Sequence, residues 1–392
     1  MRRNLTILAI LALTQITGWG AVGTLPVIAR PVAAGFGSAL PPVFLGTSVM
    51  FVAMALAAPW AGRAFRSHGT QRVMSWGAGL IGLGLCLLAL APNLPAFWAA
   101  WALIGAAGAM FLTTAAYAYL AEQADEAARG LIGTLMLVTG LAGSVFWPIT
   151  AFLEHLLGWR GALLAYGAVM LLLVCPLIRF ALPGTPPAAA ATATTATPPA
   201  RKGPVFALLV VAISLNSFTT FGIEALGIEI LRSLGNELPA AIAIASALGF
   251  CKVGGRVIDL LGGKRWDGLS TGLVSGAMIP LGLAILWLGG AGTMGIGGYL
   301  LLFGVGSGAF AVARATMPLV FYSKADYAAA MATIALPMNL INALAPPVLA
   351  GLLTGIGPQA VLGLLGALSL AALVLLLRLK ALARPAQSPA AA

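Results

Sequence analysis

Stretches of about twenty apolar residues recur along the whole 392-residue chain, separated by short gaps that hold Pro, Gly and charge. A helix of that length crosses a hydrocarbon core about 30 Å thick. Lipid offers no partner to backbone N–H and C=O groups, so such a segment has little choice but helix. Twelve can be drawn, at 5–29, 41–61, 73–91, 96–120, 130–153, 161–182, 204–230, 239–258, 268–289, 295–322, 328–354 and 358–379. Charged residues make up 8% of the chain and hydrophobic ones 60%, whereas a soluble domain carries roughly 25% charged residues. The expected fold class is therefore an all-α polytopic membrane protein with twelve transmembrane helices in two pseudo-symmetric six-helix bundles. Met1-Arg2-Arg3 opens as a signal peptide would, but the apolar run continues to Ile28 and reads as a retained helix.

The net charge of +11 does not call for a nucleic acid, because the cations fall in short loops between apolar runs. With a cytoplasmic N-terminus, sixteen cations collect on the inner side and only Arg30, Arg160 and Arg232 on the outer. An inner (plasma) membrane location with both termini cytoplasmic follows. Residues 183–203 are rich in Ala, Thr and Pro and read as a flexible cytoplasmic linker. They separate an N-terminal bundle at 1–182 from a C-terminal bundle at 204–380, with a disordered tail at 381–392. Cys86, Cys175 and Cys251 lie within apolar runs without paired spacing, and His68 and His155 are far apart. No disulfide, metal site or cofactor is expected. No His-Glu-x-x-His or Gly-x-Ser-Gly occurs, which argues against an intramembrane enzyme.

The halves resemble each other. "GRAFRSHGTQR" (62–72) aligns without a gap to "GRVIDLLGGKR" (255–265), each between the second and third helix of its half. "TGWGAVGTLPVIAR" (17–30) aligns with "TTFGIEALGIEILR" (219–232), pairing Thr17 with Thr219 and Arg30 with Arg232. Parallel repeats of this kind mark transporters that bind substrate near the midplane, where the repeats meet.

These residues resemble the major facilitator superfamily over essentially the whole chain. Its loop motif, Gly-x-x-x-Asp-x-x-Gly-x-Lys/Arg, is kept as Gly255, Asp259, Gly262 and Lys264. The first copy keeps Gly62 and Gly69 but has Arg66 in place of the acid. "GWRGA" (158–162) is another family habit. Gln15, Gly18, Trp19, Gly20 and Lys252 resemble the monocarboxylate and oxalate/formate branch. The Gly-Pro-x-x-Gly-Gly of many drug exporters is missing from the fifth helix, which has Trp147-Pro148. The resemblance implies a monomeric carrier of small molecules working by alternating access, with the loop residues as gates.

Polar residues inside the spans are the candidates for chemistry. Gln15 and Trp19 share a helix face near the bilayer centre, where they either line a water-filled cavity or bond and pack against a neighbouring helix. Asn216, Thr220 and Glu224 form a stripe at i, i+4 and i+8 of the seventh helix. Glu224 is a candidate proton carrier or half of a static ion pair. Lys252, near mid-span, is either the seat of an anion, neutralised by Glu224 when empty, or a side chain reaching inward beside Arg256. Arg314 is a second anion contact, or an inner-gate residue paired with Asp259 or Asp326. Asn339 and Asn342 lie near mid-depth of the eleventh helix between Pro337 and Pro346-Pro347, which are expected to break it.

Lys252 and Arg314 against Glu224 make the span interior positive. The expected function is secondary active transport of a small organic anion, such as a monocarboxylate, coupled to protons. The alternative is a proton-driven exporter of amphipathic drugs. By the same resemblance, exporters of cationic drugs carry an acid in the N-terminal half, where the spans of this chain have none except near their ends, at Glu122 and Glu154.

Overall fold

The computed structural model describes residues 2–124, 127–184, 203–262, 267–321 and 324–383, and no strand occurs among them. The chain divides into two compact units, Met1–Ala193 and Thr194–Ala392. Most of the expected linker, 185–202, and the tail from 384 lie outside the described residues. The first unit comprises α1 (Arg2–Val22), α2 (Leu25–Gly35), α3 (Leu40–His68), α4 (Thr70–Leu90), α5 (Leu94–Phe111), α6 (Thr113–Ala124), α7 (Ala128–Thr139), α8 (Ala142–Val169) and α9 (Cys175–Ala181). The second comprises α10 (Pro204–Ser233), α11 (Leu238–Gly262), α12 (Gly268–Gly289), α13 (Thr293–Gly298), α14 (Val305–Thr316), α15 (Pro318–Phe321), α16 (Lys324–Gly355) and α17 (Pro358–Ala383).

Among the described residues, eleven helices are long and apolar enough to cross a membrane. The expected spans 130–153 and 161–182 run together in one 52-residue stretch, Gly130–Ala181. Drawn straight, it would measure about 78 Å, more than twice the hydrocarbon thickness. It is not straight, because two helices meet at Gly158 with φ 67° and ψ 171°. That backbone is open to glycine and strained for residues with a Cβ.

Two other spans are interrupted, and in each case a distant side chain fills the gap. The first span breaks between α1 and α2. Pro26 has no N–H for the Val22 carbonyl, and its ring crowds that oxygen. Gly23 N–H closes the turn on the Trp19 carbonyl at 2.9 Å, and Trp147 Nε1 of α8 donates to the Gly23 carbonyl at 3.0 Å. The fourth span breaks at Leu112, which is extended at φ −69° and ψ −165°. Ala115 N–H, which would serve Phe111 in a continuous helix, donates to Leu112 instead. The Gln15 amide takes its place on the Phe111 carbonyl at 2.8 Å, and Trp19 Nε1 donates to Thr113 Oγ1 at 2.7 Å. The polarity of α1 thus braces the α5–α6 break. By contrast α16 runs through Pro337, Pro346 and Pro347 without interruption, because neighbouring groups in a bundle can satisfy the freed carbonyls.

In the second unit α10 packs on α16 and α17, α12 on α14 and α17, and α11 on α14. The α11–α14 seam is backbone against backbone. A Cβ on Gly308 would overlap the Lys252 carbonyl oxygen, and one on Gly255 the Val305 carbonyl oxygen. Glycine permits this approach because nothing stands between the two chains.

These contacts can be tested through stability. Gly308→Ala should cost about 1–3 kcal/mol by overpacking, lowering the midpoint of thermal unfolding in detergent. Gly254→Ala, whose added carbon meets nothing within 4 Å, should leave it unchanged. Gln15→Leu strands the buried Phe111 carbonyl and should cost about 1–3 kcal/mol in the same measurement.

Candidate functional site

The long helix α10 is built to carry polar groups deep into the bilayer. Pro204 stands in its first turn, where the missing N–H is harmless. No proline follows until its end, and the chain leaves through Gly235 at φ 105°. Asn236 N–H and Nδ2 both return to the Leu231 carbonyl, at 3.1 and 2.9 Å. Asn216, Thr220 and Glu224 therefore stay on one uninterrupted stripe. The Thr220 hydroxyl donates back to the Asn216 carbonyl at 3.0 Å, an i−4 bond that satisfies it within its own helix.

Lys252 lies two residues past the midpoint of α11, about 3 Å along the axis. It is 7% exposed, and its Nζ donates to Glu224 Oε1 at 2.6 Å. The pair joins α11 to α10. The Glu224 side chain is 50% exposed, so one partner is enclosed and the other is open on one side. Arg256 and Arg314 stand close enough for their charges to act on the same carboxylate. Three cations carried by α11 and α14 thus act on Glu224.

Arg256 is the member that sequence reasoning assigns to the inner loop. Its signal is a spacing of four residues from Lys252, which puts both on one face of α11. Asp259 lies one turn further on and accepts from Thr271 Oγ1 of α12 at 2.7 Å. The side chain of Asp326, its rival as a partner for Arg314, lies outside the described residues, as does Lys264 of the loop motif.

The two copies of the loop motif are used differently. In the second, Gly255 makes the α11–α14 seam, Asp259 ties α11 to α12, and Gly262 ends α11. In the first, Gly62 lies within α3, and Gly69 at φ 84° makes the turn from α3 into α4. Arg66 stands in the last turn of α3. There the polar tie is instead Thr70 Oγ1 to Glu122 Oε1 at 2.6 Å, joining α4 to α6. Sequence reasoning singles out neither Thr70 nor Thr271, because a lone Thr at a helix start carries no signal of a distant partner.

The remaining candidates are scattered. Gln15 and Trp19 belong to the braces of the first unit. Asn339 is exposed and Asn342 half-buried in α16. Asn216 is fully buried in α10. Of the outer arginines, Arg232 lies 3.5 Å from the buried Glu229, and the Arg160 guanidinium sits 4.1 Å over the Trp159 ring. Among the described residues no group of three His, Cys, Asp or Glu side chains could hold a metal ion.

Solved structures with the same architecture are transporters. The chain is similar to a bacterial homologue of the human lysosomal transporter Spinster, in an inward-facing and unoccupied conformation. The identity is 17%, the TM-score 0.70, and 97% of this chain and 96% of that chain are covered. It is also similar to a point mutant of the nucleoside transporter NupG, at 15% identity and a TM-score of 0.75, covering 96% and 99% of the two chains. No match was found among curated protein sequences. The model of the Major Facilitator Superfamily matches residues 7–316. This multi-pass membrane protein belongs to the Major Facilitator Superfamily and is a transporter rather than an enzyme.

Proposed function

We propose that the chain carries a small organic anion across the plasma membrane by alternating access, coupled to protons, with Lys252 as the anion seat and Glu224 as the proton carrier. The observation that supports this most is the 2.6 Å contact between a buried ammonium and a half-exposed carboxylate in mid-span. A lone charge there is costly in lipid, so each partner holds the other until something replaces it. A substrate carboxylate can take the place of Glu224 on Lys252, and Glu224 can take a proton in place of Lys252. Binding of anion and proton then break the same contact, which links the two movements. Arg256 and Arg314 add positive potential that favours an anion over a cation at this point. That balance ranks the drug-exporter reading second. The open side of Glu224 suits a face toward water, because a carboxylate turned to lipid at this depth would be unstable.

On this reading the stretch broken at Gly158 crosses the membrane twice, giving twelve spans and two six-helix bundles. With Arg256 set aside, the other fifteen inner cations of the sequence keep both termini cytoplasmic, and the protein works as a monomer. Asn216, Thr220, Asn339, Asn342 and Arg314 surround the path of the cargo. The loop residues Gly62, Arg66, Gly69, Gly255, Asp259, Gly262 and Lys264 govern opening.

Purified protein in proteoliposomes tests the scheme. Lys252→Ala should abolish organic-anion binding while the protein still folds; unchanged affinity and uptake would remove Lys252 from the seat. Glu224→Gln should retain substrate exchange but lose accumulation driven by a proton gradient. Accumulation that survives the change would place coupling elsewhere.

A further inference from the structure

The repeat that pairs Thr17 with Thr219 also sets Thr14 against Asn216 and Gln15 against Ser217. The two units use these positions differently, although Gln15 Oε1, like the Asn216 amide, is buried without a hydrogen-bond partner among the described residues. In the first, Thr14 Oγ1 donates to the Leu11 carbonyl at 3.2 Å, and the Gln15 amide holds the Phe111 carbonyl at the helix break. In the second, Asn216 is 0% and Ser217 2% exposed. Among the described residues, neither Asn216 Oδ1 nor Nδ2 meets a hydrogen-bond partner, and the Ser217 hydroxyl meets none.

A buried amide can accept and donate at once, and leaving both ends unmet is unfavourable. Native structures hold few such groups, and each calls for a reason. The position on α10 supplies one. Ser217 and Glu224 are seven residues apart, within about 20° of each other around the helix, and Asn216 is about 80° from Glu224. The unmet amide and hydroxyl therefore lie about 10–12 Å along the α10 axis from Glu224.

We infer that Asn216 and Ser217 form a second, uncharged subsite that hydrogen-bonds a hydroxyl or carbonyl at the far end of the transported anion. The inference rests on Lys252 as the anion seat and narrows the cargo. Taking about 3 Å for the contact at each end of a separation of about 12 Å leaves about 6 Å between the carboxylate and the second polar group. A hydroxy- or oxo-carboxylate of medium length meets this, whereas a very short acid does not reach. Because Asn216 is enclosed, the cargo contacts it only once surrounded by protein. The subsite thus recognises a group that has already lost its water.

Hexanoate and 6-hydroxyhexanoate are matched probes, because both reach and only one can bond. Their affinities for the purified full chain are compared by titration calorimetry. Wild type should favour the hydroxy acid by about five- to tenfold, the effect of one or two neutral hydrogen bonds. Asn216→Leu should erase that preference, with hexanoate still binding. It should also leave the unliganded protein at least as heat-stable as wild type, since an apolar group of similar size replaces an unmet amide. If Asn216→Leu does not fold, Asn216→Ala and Ser217→Ala serve, each reducing the preference. Lys252→Ala should lose both acids.

No preference in wild type, or a preference that survives in the Asn216 and Ser217 variants, overturns the subsite. If Lys252→Ala then still loses both acids, the anion seat stands alone. Binding of both acids unaffected by Lys252→Ala, or no binding of either to wild type, overturns the seat and the subsite with it.

Discussion

A bilayer interior supplies no hydrogen bonds, and every departure from continuous helix must be completed by the protein itself. The first unit shows how far this reaches. Its first and fourth spans are both interrupted, and the completing groups come from far along the sequence. Gln15 and Trp19 serve the break at Leu112, and Trp147 serves the break at Gly23. The interruptions and their braces form one assembly: α1 supplies donors to the α5–α6 junction while its own end receives one from α8. Removing a donor exposes a carbonyl that has no other recourse.

The same solvent governs charge. Lys252 sits where an ammonium cannot remain alone, and Glu224 answers it from the neighbouring helix at 2.6 Å. The two units have therefore met one constraint by different means. In the first, polar side chains complete backbone. In the second, Lys252 and Glu224 face one another as ions, while buried polar atoms unmet among the described residues occur in both units, Gln15 Oε1 in the first and Asn216 and Ser217 in the second. On the reading proposed above, this asymmetry divides labour between the two repeats: one gives the fold its bends, the other gives the cargo its contacts.

Much of this is legible in the sequence where a single segment carries its own signal. Apolar length marks the spans, and the ninth is drawn at 268–289, where α12 runs from Gly268 to Gly289. Pro26 foretells a weakened helix, since the missing N–H is written into the residue. Leu112 foretells nothing, because an extended leucine in mid-span is tolerated only when a glutamine far along the chain supplies the donor. The turn at Gly158 falls in the gap drawn between 153 and 161, although the sequence there does not tell that its φ is positive. Arg256 is misplaced because counting cations by span end treats a residue one turn inside as loop. The prolines of α16 mislead in the other direction, since local chemistry predicts a break that the surrounding bundle prevents. Lys252 and Glu224 stand out because charge in a span is rare enough to need a reason.

The seam between α11 and α14 also ties geometry to motion. With only hydrogen atoms of Gly308 between one backbone and the Lys252 carbonyl, there is no layer of side chains to shear or re-rotamerise. Two helices joined so thinly cannot slide past one another by small steps; they turn together or separate. On the reading proposed above, Lys252, Arg256 and Arg314 would then move together, held by the backbone contact of α11 with α14. Glu224, on a different helix, is the member free to change its distance from the rest.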